Sequence, residues 1–206
     1  MLYDISPALT PNTAVFPGDT PLSREVLLDM HDGAPLTLST LRSTVHLGAH
    51  ADGANHYGTD APAIDQMPLE HYLGDCCVIE CAPALGRRLE IHDLLQPIDA
   101  KRVLLKTGTW PDHNTFNPDF AGLSAELVER LASQGVMTVG VDTPSVDLSD
   151  SKELPAHRAI LKHSIAILEC LDLSDVLPGS YELIALPLKL VGFDASPVRA
   201  VLRTLD

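Results

Sequence analysis

Cysteine is scarce in this sequence, and its spacing excludes two common kinds of site. The four cysteines are Cys76, Cys77, Cys81 and Cys170. Since no CxxC pair occurs among them, neither a zinc finger nor a disulfide framework is indicated. We expect all four to be buried thiols of a cytosolic protein.

Basic residues and long apolar runs are also lacking. The sequence has 14 lysines and arginines against 28 aspartates and glutamates, a formal net charge of −14. Without a basic run, binding to nucleic acid or to an anionic membrane surface is not expected. No apolar stretch approaches the ~20 residues that span a bilayer, and the first residues do not have the pattern of a signal peptide. We therefore expect a soluble, cytoplasmic protein.

Histidine, in contrast, is concentrated in one short segment together with an aspartate. Four potential metal ligands fall within eleven positions: His46, His50, Asp52 and His56. All four have even numbers, so an extended segment would place them on one face, while Gly48 and Gly53 disfavour a helix. Three imidazoles and one carboxylate on one face predict a divalent-metal or catalytic site. The helical HExxH pattern of metalloproteases is absent.

Length and hydrophobic periodicity indicate one mixed α/β domain over residues 1–206. At 45% hydrophobic residues, the chain can bury a substantial core. Ser124 predicts the start of a helix that Gly135 ends, and a second short helix is expected over 156–163. Strands are predicted over 2–5, 24–30, 36–44, 76–81, 102–106, 136–141, 165–168, 183–186 and 198–203. We expect a sheet that curls towards a barrel, with the few helices packed outside.

Distant residues are needed to complete a site for two metals. His157 lies at the start of the second predicted helix. Glu169 directly follows a predicted apolar strand, a position where a charged side chain indicates a candidate functional residue. His113 and His163 compete for the same role. Spacing alone does not decide among them.

The histidine segment resembles the HxGTHxDxPxH motif of the cyclase superfamily of metal-dependent hydrolases, and within it the bacterial kynurenine formamidases (arylformamidases). The motif stands here as His46-Leu-Gly-Ala-His50-Ala-Asp52-Gly-Ala-Asn-His56. Further similarity lies in Asp4-Ile-Ser6, Phe16-Pro-Gly-Asp19, Leu105-Lys-Thr-Gly108, Gly140-Val-Asp-Thr-Pro-Ser-Val-Asp147 and the segment from His157 to Glu169. Ala49 replaces the usual threonine and Ala54 the usual proline. Neither change removes a ligand, but both affect how the site is positioned.

The resemblance implies a role for each residue of the motif. His46, His50 and Asp52 would bind one metal, and Asp52 would bridge to a second metal held by His157 and Glu169. His56 would remain unligated as the general acid/base. The family's metals are two zinc ions per subunit, with manganese in some relatives. Its fold is a swivelling β/β/α domain with a central barrel-like mixed sheet. Its members are commonly dimers or higher oligomers, so a homodimer is expected here.

The implied reaction is hydrolysis of N-formyl-L-kynurenine to L-kynurenine and formate, a step of tryptophan degradation, by a metal-activated hydroxide. Phe16, Tyr57 and Trp110 are candidates for the wall against the aryl ring, with Phe16 preferred. Ser145 and Asp147 are candidates for polar contacts with the substrate, although a capped turn explains them equally well. The alternatives are an isatin hydrolase or other cyclic-amide hydrolase of the superfamily, and a non-catalytic metal-binding protein. The absence of GxSxG disfavours a serine hydrolase.

Overall fold

The computed structural model describes residues 1–205 and contains one large sheet. The strands are β1 (Leu2–Asp4), β2 (Ser23–Leu28), β3 (Leu38–Arg42), β4 (His50–Asp52), β5 (Leu73–Glu80), β6 (Arg88–Leu89), β7 (Arg102–Lys106), β8 (Gly122–Leu123), β9 (Thr138–Val141), β10 (Ala166–Glu169), β11 (Gly179–Ile184), β12 (Ala195–Pro197) and β13 (Val201–Thr204). The described residues form two α-helices, α1 (Ala125–Ser133) and α2 (Pro155–His163).

The large sheet has nine strands in the order β1-β13-β11-β5-β7-β9-β10-β4-β12. Its centre, from β5 through β7 and β9 to β10, is parallel, and the strands on both flanks are antiparallel. The sheet curls into a half-barrel. The prediction of an α/β fold with a barrel-like mixed sheet and few helices is therefore confirmed.

Both faces of the central strands are buried. In β7, Val103 and Leu105 pack into the cluster that contains the two helices, whereas Leu104 packs into the cluster on the opposite face. Burial on both faces explains why the parallel strands are continuous apolar runs rather than alternating ones.

The helices begin and end at residues suited to those positions. The Ser124 hydroxyl accepts a hydrogen bond from the Leu127 amide at 3.0 Å, which caps α1, and Leu127 is fully buried. Helix α2 begins at Pro155, where a proline loses no helical hydrogen bond, and packs beside α1. Since α2 carries His157, this packing sets the position of that side chain.

Strands β2 and β3 form a separate hairpin outside the large sheet. Every residue of both strands is exposed, including the apolar Val26 and Leu41, the latter to 68%. A two-stranded hairpin without a packing partner is marginally stable in water. This arm therefore presents apolar surface that the described residues do not cover.

The histidine segment departs from the prediction of a single extended face. Only His50–Asp52 is a strand; His46 lies in a series of bends before it, and His56 ends the 3-10 turn Ala54–His56. Gly48 has a positive φ of 56°, so the chain turns between the first two histidines. The strand predicted over 198–203 begins later, at Val201 of β13. Residues 198–200 form the connection between β12 and β13.

Two expectations from composition can also be compared with the structure. All four cysteines are free and buried. No helix among residues 1–205 has the length and apolar character to cross a membrane.

Candidate metal centre

The site forms where strand β4 joins the carboxyl end of the parallel strand β10. Glu169, the last residue of β10, is paired directly with His50 of β4, so the two side chains leave the sheet on the same face. Asp52 follows His50 by two residues and shares that face. Ile167 precedes Glu169 by two residues and packs into the helix-side cluster. The three functional side chains therefore project towards helix α2.

Asp52 is the centre of the cluster. Its Oδ1 lies 3.2 Å from His46 Nδ1 and 3.5 Å from His50 Nε2, and its Oδ2 lies 3.9 Å from His157 Nε2. His50 Nε2 is also 3.3 Å from Glu169 Oε2. The structure thus brings together all five residues that the sequence suggested as metal ligands.

The donor atoms fall into two groups, each within 4.8 Å. One group is His46, Asp52 and His56, and the other is His50, Asp52 and Glu169. Asp52 belongs to both, as expected of a bridging carboxylate. The grouping differs from the predicted one: His50 lies with Glu169, His56 lies with His46, and His157 belongs to neither group.

The unpaired atoms of the cluster fit a divalent cation. His50 Nε2, Asp52 Oδ1 and Asp52 Oδ2 are buried and form no hydrogen bond with any residue of the described chain. Leaving buried polar atoms unpaired is costly, and such atoms in a native protein require an explanation. A mixed set of imidazole nitrogens and carboxylate oxygens is a ligand set that Zn²⁺ or Mn²⁺ accepts.

Hydrogen bonds on the far side of two imidazoles aim their free nitrogens at this cluster. His50 Nδ1 lies 2.8 Å from the Gly48 carbonyl oxygen, an acceptor, so Nδ1 carries a hydrogen and the neutral ring has its lone pair on Nε2. His157 Nδ1 lies 2.8 Å from Asp147 Oδ2 and is oriented in the same way. Metal-binding histidines are commonly fixed by such partners.

Asp147 supports His157 rather than contacting the cavity. Its carboxylate accepts hydrogen bonds from the His157 backbone amide at 3.1 Å and from the Arg88 guanidinium, and its side chain is almost fully buried. The carboxylate also lies at the N-terminus of α2, where negative charge is favourable. Burial favours neutral Asp147, but the hydrogen bonds from His157 and Arg88 outweigh it and lower the Asp147 pKa.

Electrostatics within the cluster favour charged forms. Burial alone would raise the pKa of Asp52, but the close His46 imidazole, 3.2 Å away, and the charges of the other nearby histidines lower it to about 2. Burial opposes protonation of His50, yet contacts with Cys170 and Glu169 raise its pKa well above the usual value. The pKa values of His46 and His157 are also raised despite burial, because the carboxylates of Asp52 and Asp147 lie close to their respective rings. The positive charges of the protonated imidazoles thus offset the negative charges of the carboxylates.

A cavity of about 430 Å³ opens over the cluster. His46, His50, His56, His157 and Glu169 lie in its wall, together with Ala14, Val15, Phe16, Pro17, Gly18, Asp19, Trp110, Phe116, Pro144, Ser145, Leu154 and Cys170. The rings of Phe16 and Phe116 meet edge to face, with centroids 5.0 Å apart. The predicted wall residues Phe16 and Trp110 therefore both lie at the cavity, whereas the third, Tyr57, packs 5.0 Å from the His157 ring.

The two competing histidines lie elsewhere. His163 Nε2 is 2.6 Å from Glu129 Oε2 on the outer surface of the helices. His113 packs edge to face on Trp110, with ring centroids 4.9 Å apart. Unlike His157, neither lies in the wall of the cavity, and neither belongs to the two donor groups.

Sequence reasoning missed two residues of the site. Asp194 Oδ2 lies 3.0 Å from His46 Nε2 and 3.6 Å from His56 Nδ1. Cys170 is buried beside His50 in the cavity wall, with a positive φ of 55°. Cys170 directly follows the candidate ligand Glu169 in the sequence, and this neighbouring position could have indicated that it lies at the site. No sequence pattern indicated Asp194, because it is a single aspartate in a loop that is distant in sequence from the histidine motif.

Comparisons with known proteins agree on the fold. A family model named Cyclase, described as "Putative cyclase", matches residues 3–148. A structure called a potential metal-dependent hydrolase with cyclase activity is 25% identical, with a TM-score of 0.85, covering 98% of this chain and 96% of that one. A predicted metal-dependent hydrolase from Bacillus stearothermophilus is also 25% identical, with a TM-score of 0.80 and coverage of 98% and 97%. Isatin hydrolase A from Labrenzia aggregata is 23% identical, with a TM-score of 0.80 and coverage of 98% and 93%.

Proposed function

This chain belongs to the Cyclase family, and from that premise we propose that it is a metal-dependent kynurenine formamidase. It would hydrolyse N-formyl-L-kynurenine to L-kynurenine and formate. The observation that carries the hydrolase proposal is the set of buried, unpaired donor atoms on His50 and Asp52 at a cavity with aromatic walls. The choice of substrate rests on the resemblance of the sequence motifs.

The residues that would hold the metal ions are His46, His50, Asp52, His157 and Glu169. Two zinc ions per subunit are proposed, with manganese as the alternative metal, because Asp52 is shared by two donor groups. When bound, such ions activate water as a nucleophile and polarise the carbonyl oxygen of an amide. The hydrogen bonds at His50 Nδ1 and His157 Nδ1 keep both ligands oriented before the metal arrives.

His56 is the proposed general acid/base. Its side chain is 40% exposed and lies in the cavity wall, with its ring centroid 4.4 Å from that of His46. An imidazole exchanges protons near neutral pH, so His56 can take a proton from the nucleophile. It can then give the proton to the departing aryl amine nitrogen, which is a poor leaving group as an anion.

The aryl ring of the substrate would lie against Phe16, Trp110 and Phe116. Edge-to-face contacts between aromatic rings are favourable beyond the apolar area that they bury. The volume of about 430 Å³ lies within the range of small-molecule sites. Phe16 is 41% exposed, which leaves part of its ring free for contact with a ligand.

A second candidate is hydrolysis of a cyclic aryl amide such as isatin. The specific observation in its favour is that several similar structures, among them the one from Labrenzia aggregata, are isatin hydrolases. Both reactions open a C–N bond between an acyl group and an aryl nitrogen. The same metal ligands and His56 would serve either one.

We also propose that the chain forms a homodimer through the β2–β3 hairpin. Val26, Leu27, Leu28, Met30, Leu36, Leu38 and Leu41 of this arm are all exposed. Several exposed apolar side chains on one hairpin favour an interaction site, and a second copy would give the hairpin the packing that it lacks. Sedimentation of the wild type and of Leu41→Lys would test this, with a monomeric wild type contradicting it.

The test of the function is release of kynurenine from N-formyl-L-kynurenine, with isatin assayed in parallel. Wild-type protein should hydrolyse N-formyl-L-kynurenine, lose this activity on chelation and regain it when zinc is added. His56→Ala should keep bound zinc but lose most turnover. If that variant instead loses zinc, His56 is a ligand, as its proximity to His46 and Asp52 allows. Turnover of isatin alone would favour the second candidate, and folded zinc-loaded protein inactive on both would be a metal-binding protein without this chemistry.

A further inference from the structure

One carboxylate oxygen lies next to two histidines of the site that have different proposed roles. Asp194 Oδ2 is 3.0 Å from His46 Nε2 and 3.6 Å from His56 Nδ1. His46 is a proposed metal ligand and His56 is the proposed general acid/base. The rings of the two histidines are themselves adjacent, with centroids 4.4 Å apart.

At His46, the contact decides which ring nitrogen faces the cluster. An ionised carboxylate only accepts hydrogen bonds, so His46 Nε2 must carry the hydrogen and donate it to Asp194. In the neutral imidazole this leaves the lone pair on Nδ1, which lies 3.2 Å from Asp52 Oδ1. Asp194 therefore does for His46 what the Gly48 carbonyl does for His50 and Asp147 does for His157.

At His56, which lies in the cavity wall, the same oxygen faces Nδ1 rather than Nε2. The distance of 3.6 Å is longer than a hydrogen bond, so the contact is an electrostatic one in this structure. Among the neutral forms of the ring, a carboxylate beside Nδ1 favours the tautomer with the hydrogen on Nδ1 and the lone pair on Nε2. An acid/base residue needs that tautomer to accept a proton from a group in the cavity.

The backbone fixes Asp194 to the strand that carries Asp52. The Asp194 carbonyl accepts a hydrogen bond from the Gly53 amide at 2.8 Å, and Ala195 of β12 is paired with Asp52 of β4. The position of this carboxylate is therefore set by the same strand pairing that places the central ligand. Its side chain is 48% exposed, so the carboxylate lies at the rim of the site, whereas its partner His46 is 18% exposed.

We propose that Asp194 is a positioning residue that holds His46 and His56 in the ring orientations and tautomers that the reaction needs. The inference rests on the proposed function, since it takes His46 as a metal ligand and His56 as the acid/base. The Asp194 side chain would then affect both metal affinity, through His46, and proton transfer, through His56.

The experiment compares Asp194→Ala and Asp194→Asn with Asp65→Asn as the matched control. Asp65 supports the same loop, because its Oδ1 accepts a hydrogen bond from the Gly192 amide at 2.9 Å. Zinc affinity is measured by competition with a chromophoric chelator. The histidine ring nitrogens are followed by NMR of ¹⁵N-histidine-labelled protein, with and without zinc. Turnover gives kcat and KM separately.

Asp194→Ala should weaken zinc binding by about 10- to 100-fold, the usual effect of losing a partner behind a metal-binding histidine. The ring-nitrogen resonances of His46 and His56 should move while those of His50 and His157 stay in place. Asp194→Asn keeps an acceptor oxygen and should lie between Asp194→Ala and the wild type. The kcat of both variants should fall with KM nearly unchanged when zinc is saturating, and Asp65→Asn should resemble the wild type.

Zinc affinity within twofold of the wild type and unmoved His46 and His56 resonances in Asp194→Ala would overturn the inference. So would an equal loss in Asp65→Asn, since the effect would then come from the loop. If the wild-type protein binds no zinc, the proposed metal-dependent function is refuted instead. In that case the spectrum of the metal-free protein still decides whether Asp194 sets the two tautomers.

Discussion

Removing the metal should destabilise this protein by an amount that depends on pH. A ligand that binds only the folded state at 1,000 times its dissociation constant stabilises it by about 4 kcal/mol. For a chain of this size, about 1 kcal/mol corresponds to roughly 2–4 °C in Tm, so chelation should lower Tm by about 8–16 °C near neutral pH.

The pKa shifts of the metal-free site give the direction of the pH effect. The pKa values of His46, His50 and His157 are raised, so their stabilising contribution is complete below the unfolded value of about 6.5 and is lost as the pH rises through their folded values. The pKa of Asp52 is lowered to about 2, so its contribution is present above about pH 4 and is lost as the pH falls through about 2. The metal-free protein should be most stable between about pH 4 and 6.5.

Zinc must displace the protons from these histidines, so the stabilisation that it provides should grow as the pH rises from 6 to 8. Thermal unfolding with chelator and with excess zinc, at intervals across this range, measures the difference in Tm directly. Asp52→Asn serves as the control that should lose most of the zinc effect. A difference in Tm that stays constant with pH, or that is as large in Asp52→Asn, would refute the assignment of these groups as the binding site.

Three further substitutions have expected outcomes. Asp147→Ala should cost about 3–5 kcal/mol of unfolding free energy, measured by urea titration, because it leaves Arg88 and His157 without their buried partner. Gly140→Ala should cost about 1–3 kcal/mol in the same assay, because its Cβ would lie 2.4 Å from the nearest leucine methyl group. His163→Ala should leave the zinc content and kcat unchanged, because His163 is paired with a glutamate on the helix surface.

Each of these outcomes has a counterpart that would contradict it. Near-wild-type stability of Asp147→Ala would mean that solvent replaces its hydrogen bonds and that the aspartate does not anchor α2. An unchanged or raised free energy of unfolding in Gly140→Ala would mean that the leucines around it shift without cost. Loss of zinc in His163→Ala would return that histidine to the set of candidate ligands.

The sequence was most informative where one local signal decides the structure. Strand β7 has the predicted bounds, 102–106, and its short apolar run between two charged residues is typical of a buried strand. The start of α1 followed from the capping hydroxyl of Ser124. The spacing of His50 and Asp52 correctly indicated a shared strand face.

The sequence was least informative where distant segments meet. The convergence of His46 with Asp52 depends on bends around Gly48, not on the flat face that even numbering suggested. The pairing of His50 with Glu169 follows from strand order, which the sequence pattern does not encode. Asp194 could not be found at all, because its role depends on β12 lying beside β4.

Strand β4 is held in the sheet by short pairings, and this has a consequence for local dynamics. It meets β10 at Ala51 and His50 only, and it meets β12 along His50–Asp52. An ion held between His50 and Glu169 would cross-link β4 to β10, so opening of this end of the sheet would require release of the ion. Amide hydrogen exchange at residues 50–52 should therefore slow on metal loading, so that these amides report occupancy in the absence of any substrate.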